Sequence, residues 1–477
     1  MTRRAPAVVT AATVAVAVLA LLAPMPALGG QPIGTGAPSA GTPFAGTPST
    51  GTAQQTVSVP HSRPAGGSVA VSMPPVGLSI EYSVLAEYLG SGACPPQGLV
   101  EVLQRLGSPP LALAGDSQDM TAPSGALSEA PASWEAATLY PLPAAFWSQL
   151  HCLLSATHDP LAAGVNAERG ALGWAQQIVA GAQSAATNGL EVSIGNEPDL
   201  YDLPDYASLA SRPVGEDVAA VNLYLQIASH LRQSIAGAAL IGPELAVASR
   251  WRGQLPRVIS QLGLRTVGVH EYPLSACASS RAVTLHGLLS AYAANAVRKL
   301  AWVVADANAA RVPAILSEVN SASCGGVAGV SDRPAAGVWA VRFVLSALKT
   351  GFREVRFHLS GGAYDPFVMR AGAVLERPLE SALVALNRWL PVGATVQSLA
   401  GVHGLVATSV SSPGSVAELI LDNETPHRQV AKLVGSLPVK VEALAPAHAG
   451  IRGGTLTPRH GRLRLRVAPN TVLVLGA

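Results

Sequence analysis

Two glutamates stand where the chain could do bond-breaking chemistry. Glu197 follows Leu190-Glu191-Val192-Ser193-Ile194-Gly195-Asn196, and Glu318 sits in Ile315-Leu316-Ser317-Glu318-Val319-Asn320. Each closes a run of β-branched and small apolar residues, so each marks the point where a buried strand runs out; Pro198 prevents the first from continuing. A lone acid at such a place is more often a helix N-cap or an ion-pair partner. Two of them in the same design fit a different task. Cleavage of a glycosidic bond with retention needs one carboxyl group to protonate the leaving oxygen and a second, about 5–5.5 Å away, to attack the anomeric carbon. That chemistry requires neither a metal nor an organic cofactor, and we expect none. A third run ends in His270-Glu271-Tyr272-Pro273. His270 suits a satisfied core histidine as well as a site residue. Glu271 competes as a carboxylate, but strand alternation turns it to the face opposite His270 and Tyr272.

Groups at the ends of separate strands meet only if the strands share one sheet. Eight runs read as strands: 77–82, 110–116, 162–166, 190–195, 239–244, 266–272, 312–318 and 354–358. Segments of helical period lie between and after them, notably 171–186, 218–236, 288–310, 335–348 and 379–389. This alternation predicts an α/β fold, a (β/α)8 TIM barrel over 76–390 whose sites lie at the C-terminal ends of the strands. A doubly wound sheet would have fewer units and a glycine-rich phosphate turn after its first strand, and none follows Tyr82. Past Pro391 the period changes to two: 404–410, 417–422, 463–467 and 471–475 alternate between Gly, Pro and Asn, predicting an antiparallel β-sandwich domain over 391–477.

The composition fits that plan. The chain has 477 residues, 49% of them hydrophobic, and a formal charge of +2, without the basic excess of a nucleic-acid binder. Residues 1–29 read as an export signal: Arg3 and Arg4, an uncharged apolar run from Ala7 to Leu22, and Ala27-Leu28-Gly29 as a small-x-small cleavage pattern. Left uncleaved, the segment would tether the protein to a membrane. Residues 30–55, rich in Gly, Pro, Ser and Thr, cannot offset their ordering entropy and read as a disordered linker; 56–59 and 68–72 alternate as short strands. An exported chain meets an oxidising environment, where its four cysteines can pair. Cys277 and Cys324 fall after neighbouring barrel strands and are expected to bond, leaving Cys94 with Cys152. No zinc site is expected, since no two cysteines have ligand spacing and no histidine cluster accompanies them.

The string Gly195-Asn196-Glu197-Pro198-Asp199-Leu200-Tyr201, with the Glu318 motif, resembles the retaining barrel glycosidases, and most of all glycoside hydrolase family 79, the heparanase and β-glucuronidase family. The resemblance implies a secreted, monomeric hydrolase acting on glucuronic-acid-containing glycans or glycosides, with Glu197 as acid/base and Glu318 as nucleophile. It places Asn196 beside the acid, makes Tyr272 the hydroxyl that holds the nucleophile, and assigns sugar hydroxyls to Glu81 and Asp116. It puts the sugar carboxylate between Gly325, in Ser323-Cys324-Gly325-Gly326, and Tyr364, in Ser360-Gly361-Gly362-Ala363-Tyr364; successive amides there can form an anion nest. It also implies that the strands within 56–75 join the sandwich. One departure stands out: the family's second strand carries Leu-Arg-x-Gly-Gly where this chain has Leu111-Ala112-Leu113-Ala114-Gly115, so the arginine that supports the carboxylates is absent. A retaining β-glycosidase for another sugar, and a non-catalytic glycan-binding barrel, remain alternatives.

Overall fold

The computed structural model describes residues 54–56, 64–125, 139–201, 218–233, 235, 237–277, 280–402, 404–412, 418–434, 440–448, 450–456 and 462–476. The expected signal, and the linker up to residue 53, lie outside the described residues. Among those described, no helix is long and apolar enough to cross a membrane.

Eight strands close into a parallel barrel: β1 (Val76–Glu81), β2 (Leu111–Ala114), β3 (Leu161–Val165), β4 (Leu190–Ile194), β5 (Ala239–Leu245), β6 (Thr266–Glu271), β7 (Ala314–Val319) and β8 (Val355–Leu359). Neighbours in chain order pair all the way round, and β8 returns to β1 with Phe357 opposite Leu78 and His358 opposite Ser79. Leu78, Ile80, Leu113, Val192, Val267, Val269 and Phe357 are buried in the large apolar core that the helices share. The interior is small and polar by contrast. Ala112, Ala114 and Ala162 form an apolar cluster of their own, and Arg356 crosses to β4, donating to Glu354 at 2.7 Å and to Glu191 at 3.1 Å. An ion network therefore fills the N-terminal end of the barrel and leaves the C-terminal end for other charges.

Element ends fall within a few residues of the sequence reading, with one larger difference. The segment 288–310, expected as one helix, is broken into short turns at Leu285–Leu288, Ala291–Ala294 and Ala296–Leu300 before the helix Ala301–Ala309. Ser290 is responsible for one break: its hydroxyl accepts the Ala293 amide at 3.2 Å and starts a new turn, as an N-cap serine does. Apolar period alone does not register such a cap.

The second domain is a seven-stranded sheet facing a three-stranded one. Pro64–Ala70 pairs antiparallel with Thr395–Val402 in the larger sheet, and Gln54–Thr56 pairs parallel with Gln429–Val434 in the smaller. Gln54 and Gln55, grouped with the linker by composition, thus lie in a polar edge strand that has no apolar alternation to betray it.

The helix Pro334–Thr350 is buried over most of its length between barrel and sandwich, with Trp339 and Phe343 fully enclosed. From it, Arg342 reaches sandwich strand Glu418–Asn423 and bonds both oxygens of Asp422 at 2.8–3.0 Å, the Asn423 carbonyl at 2.9 Å and the Leu289 carbonyl at 3.0 Å. Burial pushes the Asp422 carboxyl up while Arg342 pulls it back. Removing one partner of such a pair leaves the other charge buried and alone. Arg342→Ala is expected to cost about 3–5 kcal/mol in urea unfolding, whereas the apolar double replacement Arg342→Met with Asp422→Leu should recover most of that loss.

Candidate active site

The residues that gather at the mouth come from strand ends whose backbone is forced out of extension. After β4, Gly195 and then Glu197 turn left-handed, Glu197 at φ 50° and ψ 48°, a conformation that costs a non-glycine residue on the order of 1 kcal/mol. Contacts on every side hold it. The Glu197 amide donates to the Glu244 carbonyl at 2.9 Å. Asp119, from the loop after β2, accepts the amides of Asn196 and Ala167 at 2.8 Å each and the Tyr201 hydroxyl at 2.5 Å. Asp199 accepts the amides of Ala246 and Val247 at 3.0 and 2.8 Å, fastening this turn to the end of β5. On β7 the register against β8 slips between Leu316 and Val319. A bulge of this kind re-aims a side chain, and it turns Glu318 into the mouth.

Glu197 and Glu318 meet there. With His270 they place one ligand atom each within 4.8 Å of one another, so an oxygen of Glu197 and an oxygen of Glu318 open onto one small volume. Glu318 is nearly enclosed, while Glu197 keeps 21% of its side chain open to the cleft. The Tyr272 hydroxyl donates to Glu318 Oε1 at 2.8 Å; Oε2 has no hydrogen-bond partner among the described residues. Burial and then the charge of Glu318 raise the Tyr272 phenol well above its usual range, so it remains a donor.

His270 lies between three acids: Nδ1 is 3.0 Å from Glu197 Oε1 and 3.8 Å from Glu318 Oε1, and Nε2 is 3.4 Å from Glu244 Oε2. Burial works to lower its pKa, but Glu318, Glu197 and Glu244 overcome that and hold it well above the ordinary 6.5. Glu197, His270 and Glu318 have the spacing of a cation site, and with both nitrogens protonated His270 takes the place of a cation there. In that form it supplies the positive charge itself and has no lone pair free for a metal.

The remaining expected residues divide. Glu81 is in the site, but its oxygens accept the amides of Asp116 and Ser117 at 3.1 and 2.7 Å, and Oε1 lies 3.3 Å from His358 Nε2. Asp116 keeps an exposed face toward the cleft; enclosure of its carboxyl, followed by the charges of Glu81, Glu197 and Glu318, pushes it up to about 8. Solvent access moderates the first of these causes and leaves the three neighbours. Asn196 is buried with its Oδ1 unpartnered among the described residues. Tyr364 packs with its ring 6.3 Å from that of Tyr272 at 30°, and its hydroxyl accepts from Ser360 at 2.9 Å. Its loop is pinned by Asp365, which accepts the amides of Ser360, Gly361 and Gly362 at 2.9–3.2 Å. The Ala363 amide donates to the Gly325 carbonyl at 2.7 Å, joining this loop to the one after β7. There Cys324, Gly325 and Gly326 are all left-handed. Both disulfides form, Cys277–Cys324 and Cys94–Cys152, with Cα separations of 5.3 and 5.5 Å. Glu271 turns away from the mouth and meets Lys299 at 3.0 Å.

The overall arrangement has counterparts among solved structures. The chain matches a 4-O-α-L-rhamnosyl-β-D-glucuronidase from Fusarium oxysporum 12S at TM-score 0.67 and 18% identity, over 89% of this chain and 100% of that one. A family 51 α-L-arabinofuranosidase from Bifidobacterium longum matches at 0.62 and 13%, over 87% and 97%. The catalytic domain of a family 30 xylanase from Talaromyces cellulolyticus matches at 0.54 and 10%, over 88% and 99%. At these identities the likeness shows the fold: a barrel with an attached β-sandwich. No family model and no curated relative matches the chain.

Sequence reasoning missed Glu244, His358 and Asp119 as members of the site. Glu244 and His358 do stand at strand ends, the same signal that picked out Glu197. Asp119 falls in a short helix, Asp116–Met120, where an acid reads as an ordinary first-turn residue. Ala112, where the resemblance implies arginine, is buried beside Ala114 and Ala162. Gly115, left-handed at φ 78°, makes the packing of Glu81 and His358 feasible, since a Cβ there would run into Glu81 Oε1 and His358 Cε1. Gly115→Ala is expected to cost more than about 1 kcal/mol in chemical denaturation and to displace both side chains; unchanged stability would contradict this packing.

Proposed function

We propose that the chain is a retaining glycoside hydrolase acting on β-linked glucuronides. The observation that carries the reading is the approach of Glu197 and Glu318 from opposite parts of the barrel across a gap that fits a double displacement. Glu318 attacks the anomeric carbon through Oε2 while Tyr272 holds Oε1. Glu197, open to the cleft, protonates the departing glycosidic oxygen. The resulting glycosyl ester removes the charge of Glu318, and Glu197, now ionised, takes a proton from the water that releases the sugar. His270 keeps Glu197 oriented throughout. Asn196 and Asp116 line the sugar site. Glu81, with its oxygens already engaged, serves by fixing the β2 loop.

The acidic-sugar preference rests on the two joined loops. Tyr364 and the amides of Gly325 and Gly326 present hydrogen-bond donors without a formal charge, as an anion nest does. The chain resembles family 79 in these strings, and a solved structure with the same fold is a glucuronidase by its description. The two disulfides fit an oxidising compartment, in keeping with an exported monomer that carries an N-terminal signal or tether.

Release of 4-nitrophenol from its β-glucuronide tests the reaction. Glu197→Gln and Glu318→Gln are each expected to lower kcat by about 10²–10⁴-fold, and proton NMR of the first product should show the β-anomer. Wild type no faster than both variants across acidic and neutral arylglycosides would reject the reading. Tyr364→Phe is expected to raise KM for the glucuronide about tenfold or more, the loss of a hydrogen bond to a charged group, while leaving neutral glycosides unaffected. Equal effects on both substrates would move the specificity to another sugar.

A further inference from the structure

The mouth of the barrel is crowded with acids. Among the described residues, the ion partners of Glu81, Glu197, Glu244 and Glu318 are His270 and His358 and never an arginine or lysine. His358 is the partner that no reading above explains. It is 3% exposed on β8, with Nδ1 3.5 Å from Glu318 Oε2 and 3.1 Å from Ser79 Oγ, and Nε2 3.3 Å from Glu81 Oε1. The Asn320 side chain donates to its carbonyl at 2.9 Å and ties the ends of β7 and β8 together. Oε2 is the oxygen that Tyr272 leaves free, the one that must attack.

We propose that His358, as an imidazolium, is a positioning residue for the nucleophile: it spans Glu81 and Glu318 and holds Oε2 in place for attack. This rests on the glycosidase reading for its catalytic consequence but not for its electrostatics. With both nitrogens protonated, Nε2–H faces Glu81 and Nδ1–H faces Ser79 and Glu318, so each proton has an acceptor within reach. The groups facing the ring are Ser79 and Glu81 from β1, Asp116 after β2, Glu318 from β7, and Tyr364 and Asp365 after β8. Burial opposes the charged form, and Glu318, Glu81 and Asp116 outweigh it, raising the pKa to about 9. An arginine in this place would not titrate; a histidine does. The nucleophile's support is therefore lost as pH rises through about 9. The sign for stability is the same. A histidine whose folded pKa lies above its unfolded value stabilises fully below about 6.5, and that contribution fades as pH climbs through the folded value.

Two measurements decide it. The first is the pH profile of kcat and kcat/KM on 4-nitrophenyl β-glucuronide for wild type and His358→Gln. The expected result is a 10- to 100-fold lower kcat near pH 7 with KM changed less, and a changed basic limb, since the limb that Glu197 imposes as general acid remains and the His358 contribution is lost. The melting-point gap between the two proteins should shrink from pH 6 to pH 10. The second uses 15N-histidine NMR on the full protein, assigning the His358 ring by its absence in His358→Gln. Its titration midpoint should lie well above 6.5 and fall by a unit or more in Glu318→Gln. An active wild type whose pH profile is unchanged by His358→Gln overturns the proposal and leaves the glycosidase reading intact. A His358 ring that is neutral at pH 7, or indifferent to Glu318→Gln, also overturns it. If wild type cleaves no glycoside, the function reading fails and the NMR measurement judges the imidazolium by itself.

Discussion

Carboxylates repel one another, and four of them, Glu81, Glu197, Glu244 and Glu318, close on one small volume at the C-terminal end of the barrel. What lets them coexist is a pair of buried histidines. His270 bridges Glu197 and Glu244 with Glu318 in reach, and His358 bridges Glu318 and Glu81. In a low-dielectric interior an unpaired charge is far more costly than in water, and each imidazole stands where it can offset the charge of the acids it touches. The small residues of the inner barrel wall follow from this demand. Two rings and four acids fit in the mouth, and at Gly115 a Cβ would already run into Glu81 and His358.

The backbone carries a second part of the cost. Glu197, Glu244 and Cys324 are left-handed although none is glycine, and each lies where a barrel strand passes into a mouth loop. Their conformations persist because neighbouring loops determine them in several ways at once. Asp119 gathers three segments around the Glu197 turn, Asp199 fastens it to the end of β5, and the Cys277–Cys324 disulfide closes the loops after β6 and β7. Rigidity of this kind is what a double displacement uses: attack and protonation succeed when the acids hold their places before the sugar arrives.

The barrel and its order of strands were legible in the sequence, since parallel strands buried on both faces read as apolar runs and their helices carry the 3.6 period. Glu197 and Glu318 were legible for the same reason, each being the first polar group after such a run. The break at Ser290 was not, because one hydroxyl accepting one amide leaves no trace in hydrophobic period. Gln54 and Gln55 were also hidden: an edge strand recognised by main-chain pairing needs no apolar side chain. Asp119 was hidden for a third reason, since its partners Asn196, Ala167 and Tyr201 lie far along the chain.

The order of residues thus fixed which groups stand at the strand ends, because local pattern and chain connectivity suffice for that. It left open which of those groups share a proton or a charge. His358 follows an apolar strand much as His270 does, and nothing in its neighbours along the chain says that Glu81 and Glu318 will flank it. That was decided when β8 closed onto β1 and the β7 bulge turned Glu318 inward. Coulomb energy depends on distances in space, and those exist only once the barrel is shut.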